Sequence, residues 1–172
     1  MKLLIFGNSS SGKSTLAKQY AHNYKLAHLD LDNLAWLSSV PPKRAPVQDS
    51  AKEISSFISQ HESWVIEGCY TDLIELIKSA EEVIFLNLDV ATCTANARLR
   101  PWEPHKYNSK LDQDSNLPML IEWIENYYER SDVFSFQAHM NFYQKFEGNK
   151  QLFTDNKTSI TSEFLEGLRL EQ

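Results

Sequence analysis

Short apolar runs alternate along the chain with longer segments of helical character. The apolar runs predict buried strands at residues 2–6, 26–29, 64–67, 83–86 and 151–153. The other segments predict helices at residues 13–22, 50–61, 71–79, 90–99, 117–130 and 162–170. Strands that alternate with helices favour an α/β domain with a parallel sheet and crossover helices.

The helix predicted at 117–130 has the clearest apolar spacing. Its apolar positions recur three or four residues apart, at Leu117, Leu120, Ile121, Ile124 and Tyr128. We expect Pro118 to lie in the first turn of this helix, where its missing N–H is not needed.

Two stretches contain too many helix and strand breakers to be ordinary elements. Residues 38–46 are rich in proline, and residues 100–116 combine prolines with polar turn residues. Loops of such length inside a compact domain are often lids or binding segments. We therefore expect residues 100–116 to form a lid on a single domain that spans residues 1–172.

Composition and charge narrow the classes of function. Hydrophobic residues make up 42% and charged residues 23% of the chain, which is ordinary for a folded protein and argues against disorder. The net charge of −6 argues against general nucleic-acid binding, because that affinity comes from lysines and arginines that neutralise phosphates. No apolar run approaches the ~20 residues of a membrane span, and the opening MKLLIFG is too short for a secretory signal.

Cysteine and histidine positions argue against a zinc site. Cys69 and Cys93 have neither metal-ligand spacing nor a disulfide framework, so we expect reduced thiols in a cytoplasmic protein, buried as small hydrophobic residues. The five histidines are scattered, with no H-x-x-x-H pair and no cysteine partner.

The sequence GNSSSGKS directly follows the first apolar run and matches the pattern G-x-x-x-x-G-K-[ST]. This pattern is typical of a phosphate-binding loop (P-loop) between a strand and a helix. Small residues let backbone N–H groups curl around an anion, and the helix adds its unpaired N-terminal N–H groups. The candidate nucleotide-binding residues are Gly7, Asn8, Ser9, Ser10, Ser11, Gly12, Lys13, Ser14 and Thr15. A polar turn that only caps a helix is the alternative.

Individual residues of this loop have distinct expected roles. Lys13 is expected to bridge the outer phosphates of ATP, and Ser14 to give its hydroxyl to Mg²⁺. Asn8 is a tolerable choice if the loop needs a positive φ at that position. We attribute the two glycines of the motif to a close approach of the backbone to an anion.

Acidic residues follow three of the predicted strands, where a parallel sheet of this kind binds its ligands. Asp30 and Asp32 share one face of an extended chain and could accept substrate hydroxyls or hold metal-bound water, with helix capping by Asp32 as the alternative. Glu67 is the candidate acidic partner of Mg²⁺ or the group that activates a substrate hydroxyl, with a solvated strand end as the alternative. Asp89 stands three residues before Thr92, which favours a helix cap over a catalytic role.

Phosphoryl transfer also needs cations over the transferred group. Arg98 and Arg100 stand at the start of the expected lid, Lys106 lies within it, and Arg130 ends the helix that follows. We expect these charges to reach ATP when the lid closes. Arginines that only face water or the helix dipole are the alternative.

Trp36 and Trp102 flank the two irregular stretches. Either indole could stack on a ring of a ligand, but partly buried packing is the interpretation we favour.

The segments GNSSSGKSTLAKQYA, LAHLDLDNLAW, WVIEGCY and VIFLNLD together resemble the P-loop kinases of the shikimate kinase and adenylate kinase group. The chain is especially similar to bacterial members described as DNA topology modulation proteins, over residues 1–130 and in the final strand and helix. The resemblance implies a three-layer α/β/α P-loop NTPase fold with a five-stranded parallel sheet in the order 2-3-1-4-5. It also implies ATP and Mg²⁺ as cofactors and a closing lid.

The same resemblance implies roles for particular residues. Lys13, Ser14 and Thr15 would hold phosphates and metal, and Asp30 and Asp32 would correspond to the acidic pair that faces the substrate in shikimate kinases. The lid-base arginines would be Arg98 and Arg100.

This chain also departs from both subgroups. It has Glu67, Gly68 and Cys69 where shikimate kinases have a glycine triplet. It lacks the nucleotide-gripping arginine motif that adenylate kinases carry in the second helix. The resemblance therefore leaves the phosphoryl acceptor open.

Two functions follow from these observations. The first is an ATP-dependent small-molecule kinase that phosphorylates a metabolite or nucleotide, acting as a monomer or homodimer. The alternative is a nucleotide-binding regulator without kinase activity. A GTPase switch is disfavoured, because TDNKTS lacks the aspartate two residues after the lysine that such proteins use for guanine.

Overall fold

The computed structural model describes residues 1–37, 43–104 and 106–155 as an α/β fold built around one parallel sheet. The sheet strands are β1 (Lys2–Gly7), β2 (Ala27–Asp30), β5 (Trp64–Gly68), β6 (Glu82–Leu86) and β7 (Asn149–Phe153). A separate antiparallel hairpin is formed by β3 (Trp36–Leu37) and β4 (Lys43–Arg44). All five strands predicted from apolar runs are present, and the hairpin is an addition that the sequence pattern did not predict.

The order across the sheet is β2-β5-β1-β6-β7. Counted among the sheet strands alone, this is the order 2-3-1-4-5 that the family resemblance implied. The register pairs Leu4 of β1 with Ile66 on one side and with Val83 on the other. β1 is therefore central, and its carboxyl end lies between the ends of β5 and β6.

Helices cover both faces of the sheet. They are α1 (Lys13–Tyr24), α2 (Asp32–Ala35), α3 (Val47–Gln60), α4 (Thr71–Ile74), α5 (Val90–Arg98), α6 (Lys110–Glu125) and α7 (Phe136–Lys145), and a 3₁₀ turn spans Asn126–Tyr128. The three-layer arrangement predicted from the sequence is confirmed. Within the described residues, no helix has the length and apolar character needed to cross a bilayer.

Alternation along the strands divides the core into two clusters. Ile5 and Val65 face α1, α5 and α6, whereas Phe6 and Ile66 face the layer of α2, α3, α4 and α7. By the same alternation, the side chain of Glu67 lies on the α1 side of the sheet. Glu67 therefore shares its face of the sheet with α1, the helix that follows the glycine-containing loop.

Two helix predictions are wrong in their extent. The α-helix predicted at 71–79 ends at Ile74, and tight i→i+3 turns such as Ile77 N–H to Ile74 C=O bring the chain back toward β6. The helix predicted at 117–130 begins seven residues earlier, at Lys110, and gives way to the 3₁₀ turn after Glu125.

The early start of α6 also corrects two related expectations. Ser109 caps the helix by accepting a hydrogen bond from the Asp112 N–H at 3.0 Å, so the second half of the expected lid loop 100–116 is helical. Pro118 consequently lies inside the helix and not in its first turn. The predicted helix at 162–170 lies outside the described residues.

One helix was not predicted at all. The helix α7 begins at the Ser135 cap and packs on β1 and β6 through residues such as Phe142 and Tyr143. Nε2 of its buried His139 donates a hydrogen bond to the Cys69 carbonyl at 2.9 Å. Nδ1 of the same ring lies 2.7 Å from the Tyr127 hydroxyl, from which it accepts when the ring is neutral. Burial lowers the pKa of His139 to about 4, so this residue is a neutral part of the core.

Both cysteines are free thiols. Cys93 is fully buried and Cys69 partly so, and burial raises their pKa values to about 11 and about 12.

Candidate functional site

The phosphate loop lies between the end of β1 and the start of α1. Positive φ angles occur at Gly7, Ser10 and Gly12, with values of 149°, 58° and 93°. The left-handed non-glycine residue of the loop is therefore Ser10 and not Asn8, for which the sequence analysis had allowed this conformation. Gly7 has a separate packing role, because a Cβ there would lie 2.3 Å from the Leu86 carbonyl oxygen of β6.

Asn8 is a structural residue of this loop. It is 2% exposed, and its amide nitrogen donates to the Ile124 carbonyl near the end of α6 at 3.2 Å. Its side-chain oxygen accepts from the Ser9 N–H at 2.8 Å, and its backbone carbonyl accepts from the Lys13 ammonium at 2.8 Å. Lys13 thus folds back over the loop, where its charge faces any anion that the loop holds.

The loop fits an anion on several independent grounds. The helix α1 begins at Gly12 without a side-chain cap and without an acidic residue in its first turn. The hydroxyl oxygens of Ser10 and Ser11 are buried without a hydrogen-bond partner in the described structure. Unpaired donors at a helix N-terminus and a lysine over the loop are the arrangement that binds phosphate oxygens.

Asn96 of α5 supports the loop from the other side. Its amide donates to the Ser10 carbonyl at 2.9 Å, which holds the left-handed residue in place. The sequence analysis did not single out Asn96, because its contact with the loop depends on α5 packing beside that loop.

Three carboxylates lie at or just after the neighbouring carboxyl ends of β2 and β5, as predicted. Asp30 and Glu67 are direct partners in the strand register. Burial raises the pKa of Asp30, the charges of Glu67 and Asp32 raise it further, and Lys106 offsets part of the effect. This is the crowding of negative charge that favours a cation or a hydroxyl donor at the strand ends.

Glu67 is the most buried of the three, at 1% exposure. One of its oxygens lies 3.6 Å from His28 Nε2, and neither atom has a hydrogen-bond partner in the described structure. A buried carboxylate oxygen without a partner is the kind of group that a bound cation or its water would satisfy. Glu67 is therefore no solvated strand end. The sequence analysis did not identify His28, because it lies within an edge strand and belongs to no sequence motif.

Asp32 begins the short helix α2, but its side chain does not cap that helix. Instead, one oxygen accepts from the Tyr70 hydroxyl and the other from the Lys106 ammonium, both at 2.6 Å. Burial acts to raise the pKa of Asp32, and the charge and hydrogen bond of Lys106 outweigh it, so the pKa is lowered. Tyr70 was not identified from sequence, because only the fold brings it beside Asp32.

Asp89 is a helix cap, as the sequence indicated. Its two oxygens accept from the Thr92 N–H at 2.7 Å and the Thr92 hydroxyl at 2.9 Å. These hydrogen bonds lower the pKa of this fully exposed carboxyl. Asp89 therefore belongs to the start of α5 and not to the candidate site.

Two of the three arginines expected to reach ATP have local partners in this structure. Arg98 is exposed at the end of α5, and Arg100 pairs with Glu103 inside the lid segment. Arg130 pairs with Asp132 at 2.6 Å, and its guanidinium lies 3.5 Å from the centre of the Trp123 ring. Arg100 and Arg130 are therefore each held by a local contact.

Two tryptophans flank the site and are partly exposed, Trp36 at 39% and Trp102 at 45%. The indole N–H of Trp36 donates to the Tyr70 hydroxyl at 2.7 Å, and that of Trp102 to the Tyr107 carbonyl at 3.1 Å. Both indoles are thus fixed by hydrogen bonds in addition to packing. Arg44 of the hairpin lies over the rings of Trp36 and Tyr70, at 5.8 and 4.9 Å from their centres.

In the part of the chain that the structure describes, no group of three or more His, Cys, Asp or Glu residues is arranged to hold a metal ion. A magnesium ion at the strand ends would therefore depend on a hydroxyl, water and phosphate oxygens in addition to a carboxylate, which is its usual coordination in phosphoryl-transfer sites.

No family model and no curated protein matches this chain. Among solved structures, a shikimate kinase from Bacteroides thetaiotaomicron matches with a TM-score of 0.52 at 16% sequence identity, over 98% of this chain and 97% of that chain. An uncharacterized protein from Eubacterium ventriosum ATCC 27560 matches with a TM-score of 0.46 at 19% identity, over 99% and 98% of the two chains. The fold of this chain therefore matches that of the shikimate kinase.

Proposed function

We propose that this protein is an ATP-dependent small-molecule kinase, which transfers the γ-phosphoryl group of ATP to a hydroxyl or phosphate of a metabolite or nucleotide. One observation carries the proposal. A loop whose geometry fits an anion, the buried Glu67 and the half-buried Asp30 and Asp32 lie at the same edge of one sheet, at the carboxyl ends of β1, β2 and β5. A donor phosphate and an acceptor hydroxyl could thus be bound side by side.

The donor side of the site is formed by the phosphate loop. The backbone N–H groups of residues 8–15 and the ammonium of Lys13 would bind the phosphates of ATP. Ser14 and Glu67 would hold Mg²⁺, in keeping with the partnerless buried oxygen of Glu67. The ion would neutralise charge that develops on the transferred phosphoryl group.

The acceptor side is formed by Asp30 and Asp32. We assign Asp32 to accept the proton of the acceptor hydroxyl, because it is the more exposed of the two carboxylates. The carboxylate oxygen Oδ1 of Asp30 accepts from the Asp32 N–H at 2.9 Å, so Asp30 would fix the geometry of Asp32. Catalysis in such a site consists chiefly of positioning and charge stabilisation.

The arginines supply the remaining positive charge in this proposal. Arg98, Arg100 and Arg130 would face the transferred phosphoryl group, with Arg100 and Arg130 exchanging their local partners for phosphate oxygens.

The resemblance to DNA topology modulation proteins and a cytoplasmic location are further proposals, supported by the quoted sequence segments and by reduced cysteines.

The test compares Lys13→Ala with Lys18→Ala, which removes an exposed lysine one and a half turns further along α1. Thermal shift with Mg²⁺ and ATP measures binding, and transfer of labelled γ-phosphate to a panel of hydroxyl and phosphate acceptors measures activity. We expect Lys13→Ala to lose about 100-fold or more of the transfer rate, because a charge aimed at the reacting phosphoryl is lost. Lys18→Ala should behave as the wild type.

Two outcomes would contradict the proposal. A folded Lys13→Ala protein that consumes ATP at the wild-type rate excludes the phosphate loop as the donor site. ATP binding by the wild type without transfer to any acceptor of the panel favours the nucleotide-binding regulator instead.

A further inference from the structure

Lys106 carries a half-buried positive charge into the acceptor side of the site. Its side chain is 19% exposed, and its ammonium lies 2.6 Å from Asp32, 3.5 Å from Asp30 and 3.8 Å from Glu103. The sequence analysis expected this lysine to reach ATP with the other lid charges. The structure places it on the carboxylates that face the acceptor.

This contact gives the second oxygen of Asp32 a charged donor. One carboxylate oxygen already accepts from Tyr70, and Lys106 takes the other at the same distance of 2.6 Å. Each carboxylate oxygen has a second acceptor position, but the positive charge of Lys106 at 2.6 Å makes Asp32 a weaker base toward an acceptor hydroxyl, so full use of Asp32 requires that a donor withdraw. Tyr70 is buried and also bonded to Trp36, whereas Lys106 comes from a surface segment, so Lys106 is the donor that gives way.

Lys106 is also the polar connection between the lid and the strand ends. Among the described residues, the other hydrogen bonds of segment 100–107 stay within it or reach α5 and α6. Examples are Glu103 N–H to Gln113 Oε1 at 2.8 Å and Asn116 to the Tyr107 hydroxyl at 2.9 Å. Release of Asp32 and separation of the lid from the strand ends are therefore one event.

We propose that Lys106 is a specificity-determining latch, which occupies Asp32 until an acceptor hydroxyl takes its place and so directs the phosphoryl group to the acceptor and away from water. This inference rests on the proposed kinase function. Lys106 is a positioning residue in this account, because it acts through Asp32.

The unwanted reaction is hydrolysis of ATP. The oxygen of a water molecule would form a bond to the γ-phosphorus while its proton passes to Asp32. The bond from the γ-phosphorus to the bridging oxygen would break, and ADP would leave with that electron pair. With Lys106 in place, its positive charge makes Asp32 a weaker base toward that water molecule.

The experiment uses Lys106→Met, which keeps the length of the side chain and removes its charge. The control is Lys110→Met, whose lysine pairs with Asp114 on the surface of α6. ATP hydrolysis is measured with Mg²⁺ and no acceptor, together with the affinity for ATP. Hydrogen exchange of residues 100–109 is measured without nucleotide.

We expect Lys106→Met to hydrolyse ATP about fivefold faster than the wild type and to exchange faster by a similar factor in the lid, the scale set by loss of one partly buried ion pair. The affinity for ATP should not change, and Lys110→Met should match the wild type. Lys106→Arg, which keeps the charge, should restore most of the protection.

Three outcomes would overturn the latch. Unchanged hydrolysis and unchanged lid exchange in Lys106→Met would show that the contact holds nothing. Slower hydrolysis would place Lys106 in the transfer step itself. A rise that Lys106→Arg does not reverse would mean that the charge is irrelevant. If the wild type binds no ATP, the proposed function fails, while the nucleotide-free exchange measurement still judges the contact.

Discussion

Gly7 links the central strand to the phosphate loop, and its lack of a side chain serves the sheet as well as the loop. The Leu86 carbonyl of β6 occupies the space that a Cβ at Gly7 would need. The left-handed conformations that curl the loop fall on Ser10 and Gly12. The two glycines of the motif therefore have different roles: Gly7 leaves room for the Leu86 carbonyl, and Gly12 adopts a left-handed conformation in the loop. The motif alone does not distinguish these roles.

We predict that Gly7→Ala lowers the free energy of unfolding by about 2–4 kcal/mol, from the backbone clash and the positive φ together. Denaturant unfolding monitored by circular dichroism measures the change. Ser9→Ala, in the same loop but without a crowded Cβ, should stay within about 0.5 kcal/mol of the wild type. Equal stability of Gly7→Ala and wild type would mean that β6 moves aside freely.

Residues of the site were predictable where chemistry follows from a local motif. The phosphate loop and the acidic ends of β2 and β5 are examples, because each stands immediately after an apolar run. Tyr70, Lys106 and Asn96 were not assigned their partners, because these contacts join parts of the chain that are 38, 74 and 86 residues apart. Only the packing of the elements sets such contacts.

At the scale of elements, two of the errors concern helices whose start is set by a polar cap and not by apolar spacing. The helix α6 begins at the Ser109 cap, ahead of the apolar positions from which its start was predicted. The helix α7 begins at Ser135, whose hydroxyl accepts from the Ala138 N–H at 3.1 Å. In both cases the available signal was a serine, a preferred N-cap residue that can accept a hydrogen bond from the N–H three residues later.

We predict that Ser135→Ala costs about 1–2 kcal/mol of stability, because the cap is 1% exposed and water cannot replace it. Thermal or urea unfolding measures the loss. Ser59→Ala near the exposed end of α3 is the matched control, since Ser59 bonds only to the Ser56 carbonyl of its own helix. A loss no greater than that of the control would contradict a stabilising cap at α7.

At the scale of the whole molecule, alternation along five short strands determines the architecture. Each central strand contributes apolar side chains to both faces, so the two core clusters share one scaffold. The sequence therefore predicted the sheet and its layers, because buried strands read as continuous apolar runs. It did not predict the hairpin of β3 and β4, whose two-residue strands lack a detectable period.

We predict that the two faces unfold together. Ile124→Ala on the α6 face and Ile54→Ala on the α3 face should each remove about 2–4 kcal/mol, since both side chains are buried. Tryptophan fluorescence and far-ultraviolet circular dichroism should give the same midpoint in urea for each variant. Separate midpoints for the two probes would show that the faces are independent units.

The hydrogen bond from Asn8 to the Ile124 carbonyl makes α6 a lever with its pivot at the phosphate loop. A helix of sixteen residues is about 24 Å long. A tilt of about 10° at the pivot would therefore displace the opposite end, next to Ser109, by roughly 4 Å. If an anion shifts the loop and α6 tilts with it, the shift would be largest at the segment that carries Lys106.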